Sequence, residues 1–301
     1  MMCCDGDAIL EINGYRIINC NLCGFKHVYP LPSSEELNAI YTDDYYQKTR
    51  PDYFKLHERD AAWWQQSYAA RLETIKSALS SGGQRFLDVG SGPGLMLQAA
   101  TKAGFEALGV EPNPLATDYA RSQGCNVIQD FLTTELGNTL GLFDAIHSSE
   151  VLEHIREPEK MLTLMLSLLK PGGALCIVVP NDFNPLQELL VDTGRFRPWW
   201  VAPPHHLNYF SHSSLKDLLE RLGFEVVTLT STFPMELFLL MGDNYVGNEE
   251  LGAQCHAKRK YMESLIIGQG QQIILDQLYQ KLADMNIGRE IVVVARKPRA
   301  G

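Results

Sequence analysis

The stretch EVLEH, residues 150–154, places Glu150, Glu153 and His154 within five positions. On a helix those positions are i, i+3 and i+4 and share one face. Two carboxylates and an imidazole on one face can hold a metal ion, run acid–base chemistry, or cap and brace a helix end. Other groups of chemistry-bearing residues recur along the chain. Cys20 and Cys23 form a C-x-x-C turn before Gly24, and His205 and His206 follow the aromatic run RPWWVAPP. Either of those histidines, or His154, can serve as a general base. Trp199 and Trp200 can stack on a ring or sugar face or fill a core. Gly90, Gly92 and Gly94 lie in DVGSGPG, where glycine permits a tight turn and close approach of a ligand to the backbone.

The elements that must position these residues follow from pattern. From residue 85 short apolar runs alternate with helical stretches: RFLDV, EALGV, NVIQD, FDAIHSS, ALCIVVP, then FEVVTLTS and REIVVVARK. Such alternation predicts a parallel sheet covered by helices on both faces. EVLEH opens the helical stretch after the fourth of these strands, at the carboxyl edge, where open sheets of this kind bind ligands. Glu111 ends the second strand, where an acid can accept both hydroxyls of a ribose, and Asp130 ends the third, within reach of an adenine amino group. The glycine turn is not the dinucleotide fingerprint G-x-G-x-x-G, because its last position is Leu95.

The chain is expected to divide into five segments: a cysteine knuckle-like segment over 1–32, a helical cap over 33–82, a core over 83–233, a helical insertion over 234–288, and a last core strand over 289–298. Ser33 before an acidic run predicts an N-cap for the cap region. The insertion is long for a connection between two strands and is expected to shape an acceptor pocket.

The 301 residues carry a formal net charge of −10, with 45% hydrophobic and 21% charged residues. These are the proportions of a globular protein in water, and the acidic balance argues against a nucleic-acid partner. The N-terminal MMCCDGDAIL has no basic start followed by an apolar run, and FPMELFLLMG is too short to span a bilayer. The expectation is a cytoplasmic protein without stable membrane insertion. Seven cysteines, an odd number, argue against a disulfide framework.

FLDVGSGPG, ALGVEPN, VIQDF, FDAIHSSEVLEH and LLKPGGALCIVVP, in this order, resemble the class I S-adenosylmethionine-dependent methyltransferases. The resemblance covers about residues 84–232 plus the last strand, and is specific for cofactor and fold rather than for acceptor. It implies a Rossmann-like seven-stranded sheet with its last strand antiparallel, and S-adenosylmethionine as cofactor. Asp88, Gly90 and Gly92 would lie against its methionine part, Glu111 on the ribose, Asp130 and Phe131 at the adenine, and Ser148 near the sulfonium. The EVLEH string occurs in relatives of the ubiquinone-pathway enzymes. With HHLNYFSHSSL it is also similar to small-RNA 2′-O-methyltransferases, which would make Glu150, Glu153, His154 and His206 ligands of a divalent metal. The metal-free reading, with His154, His206 and Glu150 as catalytic groups, is the one carried forward. NCNLCGFKHVYPLPSSEELNAIY resembles the N-terminal knuckle of sugar and natural-product methyltransferases. The preceding Cys3 and Cys4 are adjacent rather than spaced C-x-x-C, so no tight zinc at Cys20 and Cys23 is expected. By the same resemblance the region of Tyr41, Tyr45, Tyr46 and Tyr53 covers the cofactor; packing of a helix onto the core is the alternative.

The expected activity is methyl transfer to a hydroxyl of a small or lipid-linked sugar, quinone-like or natural-product acceptor. The alternatives are carbon methylation of a sugar, metal-dependent ribose 2′-O-methylation, and cofactor binding without turnover by an interaction module.

Overall fold

The computed structural model describes residues 5–33, 36–37, 53–79 and 82–299. Tyr41, Tyr45 and Tyr46 lie outside the described residues, and of Tyr53 only its place at the start of a helix is described.

Seven strands form the larger sheet: β4 (Arg85–Val89), β5 (Glu106–Val110), β6 (Val127–Ile128), β7 (Phe143–Ser149), β8 (Leu169–Pro180), β10 (Glu225–Ser231) and β11 (Glu290–Arg296). Their order is β10-β11-β8-β7-β4-β5-β6. β4 pairs in parallel with β5 and β7, and β5 with β6. The sheet is mixed, with its last strands antiparallel and helices around it. The central strands are buried along nearly their whole length, as a sheet covered on both faces requires. Their carboxyl ends deliver Asp88, Val110 and Ser148 to one edge.

A second, four-stranded sheet has the order β1-β2-β3-β9, from β1 (Gly6–Ile12), β2 (Tyr15–Cys20), β3 (Lys26–Tyr29) and β9 (Asn208–Tyr209), all paired antiparallel. From the residue pattern only a knuckle is expected here. The sheet was hidden because β3 and β9 have only four and two residues and β9 comes from far along the chain.

The chain divides into two compact units: Met1–Pro30 with Val178–Asp217 and Thr228–Val293, and Leu31–Ile177 with Leu218–Val227 and Val294–Gly301. In the first unit Ile17, Val28, Trp200, Val201 and Tyr209 make a buried cluster, with Trp199 and Phe183 against it. Trp200 therefore fills a core. Three helices, Glu236–Leu240, Glu249–Gly268 and Gln272–Asp284, occupy the connection between β10 and β11. In the second unit Leu97, Ala120 and Val127 pack together, tying the two helices Leu95–Lys102 and Pro114–Ser122 to β6. The helix Tyr53–Ala78 also belongs here. The expected cap at Ser33 is present: Glu36 N–H donates to Ser33 Oγ and Ser33 N–H to Glu36 Oε2, a capping box.

Candidate functional site

The glycine turn leaves β4 with Gly90, Gly92 and Gly94 all in the left-handed region, at φ of 73°, 49° and 82°. At Gly90 two constraints coincide. A side chain would be strained by φ, and an added Cβ would collide with Val151 Cγ2. The turn can be made only from bare backbone.

Glu111, at the end of β5, is buried and grips this turn. Its Oε2 accepts from Gly92 N–H and its Oε1 from Asn113 N–H, both at 2.9 Å. Burial pushes its carboxyl above the ordinary range, against the lowering effect of the two N–H donors. Asn113 in turn caps the next helix, accepting from Leu115 and Ala116 N–H. One carboxylate thus sets the turn and the helix start together. Each carboxylate oxygen has two lone pairs, so a buried acid held in this way can still accept hydroxyls.

Asp88, on β4, is buried and accepts from His147 Nδ1 at 2.7 Å. Arg71 Nη1 lies 3.2 Å from His147 Nε2. Guanidinium can only donate, so Nε2 accepts and the proton sits on Nδ1. Burial lowers the His147 pKa, outweighing the opposing pull of Asp88, which agrees with a neutral ring. This Arg71–His147–Asp88 chain is not among the features expected from sequence. His147 sits inside the β7 string FDAIHSS, and its register opposite Asp88 on β4 was the available signal. Ser148, next on β7, is buried and donates to Val89 O at 3.1 Å. Asp130 is exposed and accepts from Phe131 N–H at 2.8 Å, and Phe131 is half-buried beside it.

EVLEH is not the opening of a helix. Glu150 is exposed with φ of 55°, Leu152–His154 make one 3-10 turn, and the α-helix begins only at Pro158. The shared helical face expected for Glu150, Glu153 and His154 is corrected accordingly. A left-handed Glu150 breaks the helical path, and Pro158 supplies a helix start without needing an N–H partner. Glu150, expected on that face both as a catalytic group and as a possible metal ligand, stands outside the turn. Glu153 is buried and its Oε1 lies 3.6 Å from His154 Nε2.

In the other unit His206 Nδ1 lies 3.8 Å from Asp182, which also stands 3.7 Å from Arg289. Burial lowers the pKa of His205, and the neighbouring His206 adds to this. In the same unit Glu236 is buried and accepts from Gln187 Nε2 at 3.0 Å and Asn184 Nδ2 at 3.4 Å. Cys20 and Cys23 are buried, and Cys23 N–H points at Cys20 Sγ from 3.4 Å. No helix among the described residues is long and apolar enough to cross a membrane.

A family model described as "Methyltransferase domain" matches residues 57–229, more than half of the chain. The chain is 32% identical over 134 residues to a ubiquinone biosynthesis O-methyltransferase of Nitrosococcus oceani, covering 40% of this chain and 57% of that protein. It is 29% identical over 211 residues to the Actinobacillus pleuropneumoniae serotype 7 protein of the same name, covering 60% and 89%. The chain spans about half the length of the curated relatives from Nitrosococcus oceani and Methylococcus capsulatus. A SAM-dependent methyltransferase structure from Archaeoglobus fulgidus superposes with a TM-score of 0.52 at 21% identity, covering 81% of this chain and 99% of that one; it shares the fold.

Proposed function

The chain belongs to the methyltransferase-domain family, and from that premise we propose that it transfers the methyl group of S-adenosylmethionine to a hydroxyl of a small, quinone-like acceptor. The observation that carries the cofactor assignment is the clasp of Glu111 on Gly92. A bare-backbone turn and a buried carboxylate at adjacent strand ends are what a nucleoside with a ribose diol requires. The residues fit the cofactor: Gly90 lets the turn close against Val151, Gly92 presents bare backbone, Asp88 and Ser148 offer polar groups beside it, and Glu111 accepts the ribose hydroxyls. Asp130 and Phe131 serve the adenine. The acceptor class follows the ubiquinone-biosynthesis relatives, whose name points to such a substrate.

Bound S-adenosylmethionine supplies an electrophilic methyl on a sulfonium. The chain must then hold the acceptor oxygen in line, exclude water and take up one proton. His154 is assigned as the base. Its ring accepts the hydroxyl proton, and Glu153 at 3.6 Å stabilises the imidazolium that results. His206, beside Asp182, has the same pairing and is the second candidate for that role. The acceptor is lipid-linked or free, and the protein works in the cytoplasm.

The test is calorimetry with S-adenosylhomocysteine followed by turnover with labelled S-adenosylmethionine on a panel of catechol- and quinol-type acceptors. One cofactor site and label in an alkali-stable aryl methyl ether are expected. Cofactor binding with label on carbon would move the assignment to carbon methylation, and no binding would sink it altogether.

A further inference from the structure

Among the described residues, one cluster is used by nothing above. Cys20 ends β2, Cys23 sits in the turn, and His27 lies on β3, so a single hairpin turn brings the three together. All three are buried, at 3%, 5% and 2% exposure, and one ligand atom from each lies within 4.8 Å of the others. Around a tetrahedral zinc with Zn–S of about 2.3 Å and Zn–N of about 2.0 Å, ligand atoms stand about 3.5–3.8 Å apart. The cluster needs only a small contraction to reach that spacing.

The state of His27 is an independent observation. Its Nδ1 lies 2.8 Å from Val28 O, and a carbonyl only accepts, so Nδ1 carries the proton. The other nitrogen, Nε2, is a buried acceptor with no hydrogen-bond partner. A buried lone pair without a partner costs free energy unless something occupies it. A ring whose far N–H is fixed on a backbone carbonyl and whose near nitrogen is bare is the arrangement by which proteins orient a metal-binding histidine. The Cys23 N–H aimed at Cys20 Sγ is likewise the kind of contact that stabilises a bound thiolate.

We infer that Cys20, Cys23 and His27 Nε2 bind a divalent ion of the zinc class, through two thiolates and one imidazole. Soft sulfur with imidazole selects zinc over magnesium or calcium. Binding replaces the two thiol protons, which are released to solvent, and involves no redox step. The expectation that Cys20 and Cys23 hold no tight zinc rested on the spacing of Cys3 and Cys4. It took no account of His27, which is four residues beyond Cys23 in the chain but opposite Ile18 in the hairpin. The fourth position of a tetrahedron falls to water or to a further donor. The ion would fasten the β2–β3 turn, and β3 in turn carries β9.

The experiment is elemental analysis of the full chain purified without chelator, followed by cobalt(II) titration of chelator-treated protein. About one zinc per chain is expected, together with a thiolate-to-cobalt charge-transfer band saturating at one equivalent. His27→Gln should weaken cobalt affinity at least tenfold and alter the visible bands while keeping the charge transfer. Cys20→Ser with Cys23→Ser should abolish it. S-adenosylhomocysteine binding, whose proposed residues are elsewhere, reports whether each variant is folded. Should the variants fail to fold, the wild-type titration decides alone. Absence of zinc with no charge-transfer band at equimolar cobalt would overturn the inference, and so would unchanged cobalt affinity and spectrum in folded His27→Gln.

Discussion

Glu111 carries two tasks, and its removal separates them. Glu111→Ala deletes the proposed ribose acceptor and also leaves Gly92 and Asn113 N–H without their partner. Lost hydrogen bonds to a charged group are worth about 1–3 kcal/mol, so S-adenosylhomocysteine affinity should fall by roughly one to two orders of magnitude. Because the turn itself loosens, Tm should drop as well. Unchanged affinity by calorimetry would remove Glu111 from the ribose. His154 makes a different prediction. His154→Ala should leave cofactor affinity within twofold and cut turnover by about two orders of magnitude or more, as loss of a general base does. If a divalent ion instead served Glu153 and His154, chelator present only during the assay would stop turnover and added Mg²⁺ or Mn²⁺ would restore it. The metal-free assignment expects no effect of either. The exposed, left-handed Glu150 shows how local conformation limits such reading: spacing alone suggested a shared face, but spacing says nothing of a positive φ.

The strands and helices differ in how far pattern reveals them. The central strands of the large sheet were legible because buried strands covered on both faces are unbroken apolar runs, as in RFLDV and ALCIVVP. Asp88, Glu111 and Ser148 were legible for the same reason, since strand ends fix them. The Arg71–His147–Asp88 chain was not, because it joins a helix to two strands and depends on register. The small sheet was missed because β9 is two residues long and joins from far along the chain. His27 was missed with it, since a four-residue strand gave no reason to single out one imidazole. The helices after β10 were expected as one insertion, and their role as a wall for the acceptor is a proposal. Glu236, at their start, is buried against Gln187 and Asn184 with its Oε2 lacking a hydrogen-bond partner. Glu236→Gln keeps the shape and removes the charge. It should raise the acceptor KM at least fivefold while cofactor affinity stays constant; an unchanged KM would leave Glu236 a purely internal brace.

Stability of the whole chain as a function of pH sums over its buried titrating groups. Burial lowers the pKa of His147, His205 and His212 in the folded state. An unfolded histidine titrates at about 6.5. Between that value and the lowered folded one, the unfolded chain binds more protons than the folded chain, so stability rises with pH across this window and is lost as pH falls through it. Asp144 works further down. Burial alone would raise its pKa, but Arg85 and Gln84 N–H and the Lys170 ammonium reverse this and hold it low. Its contribution is present above the ordinary aspartate range and is lost only as pH falls below it. An opposing effect comes from the net charge of −10, since protonation on the acid side relieves self-repulsion. Surface repulsion is screened within about 8 Å at physiological salt, whereas groups buried without water are not. The buried histidines should therefore win in 0.15 M salt. Tm should fall from pH 7 to pH 5, above the ordinary carboxylate range; Glu111, whose pKa burial raises, works the other way and offsets part of the fall as it takes up its proton. His147→Asn, scanned over the same range, should start lower and fall less steeply, because one of the three rings that resists protonation is gone. An equally steep fall in that variant would assign the acid sensitivity to His205 and His212 alone.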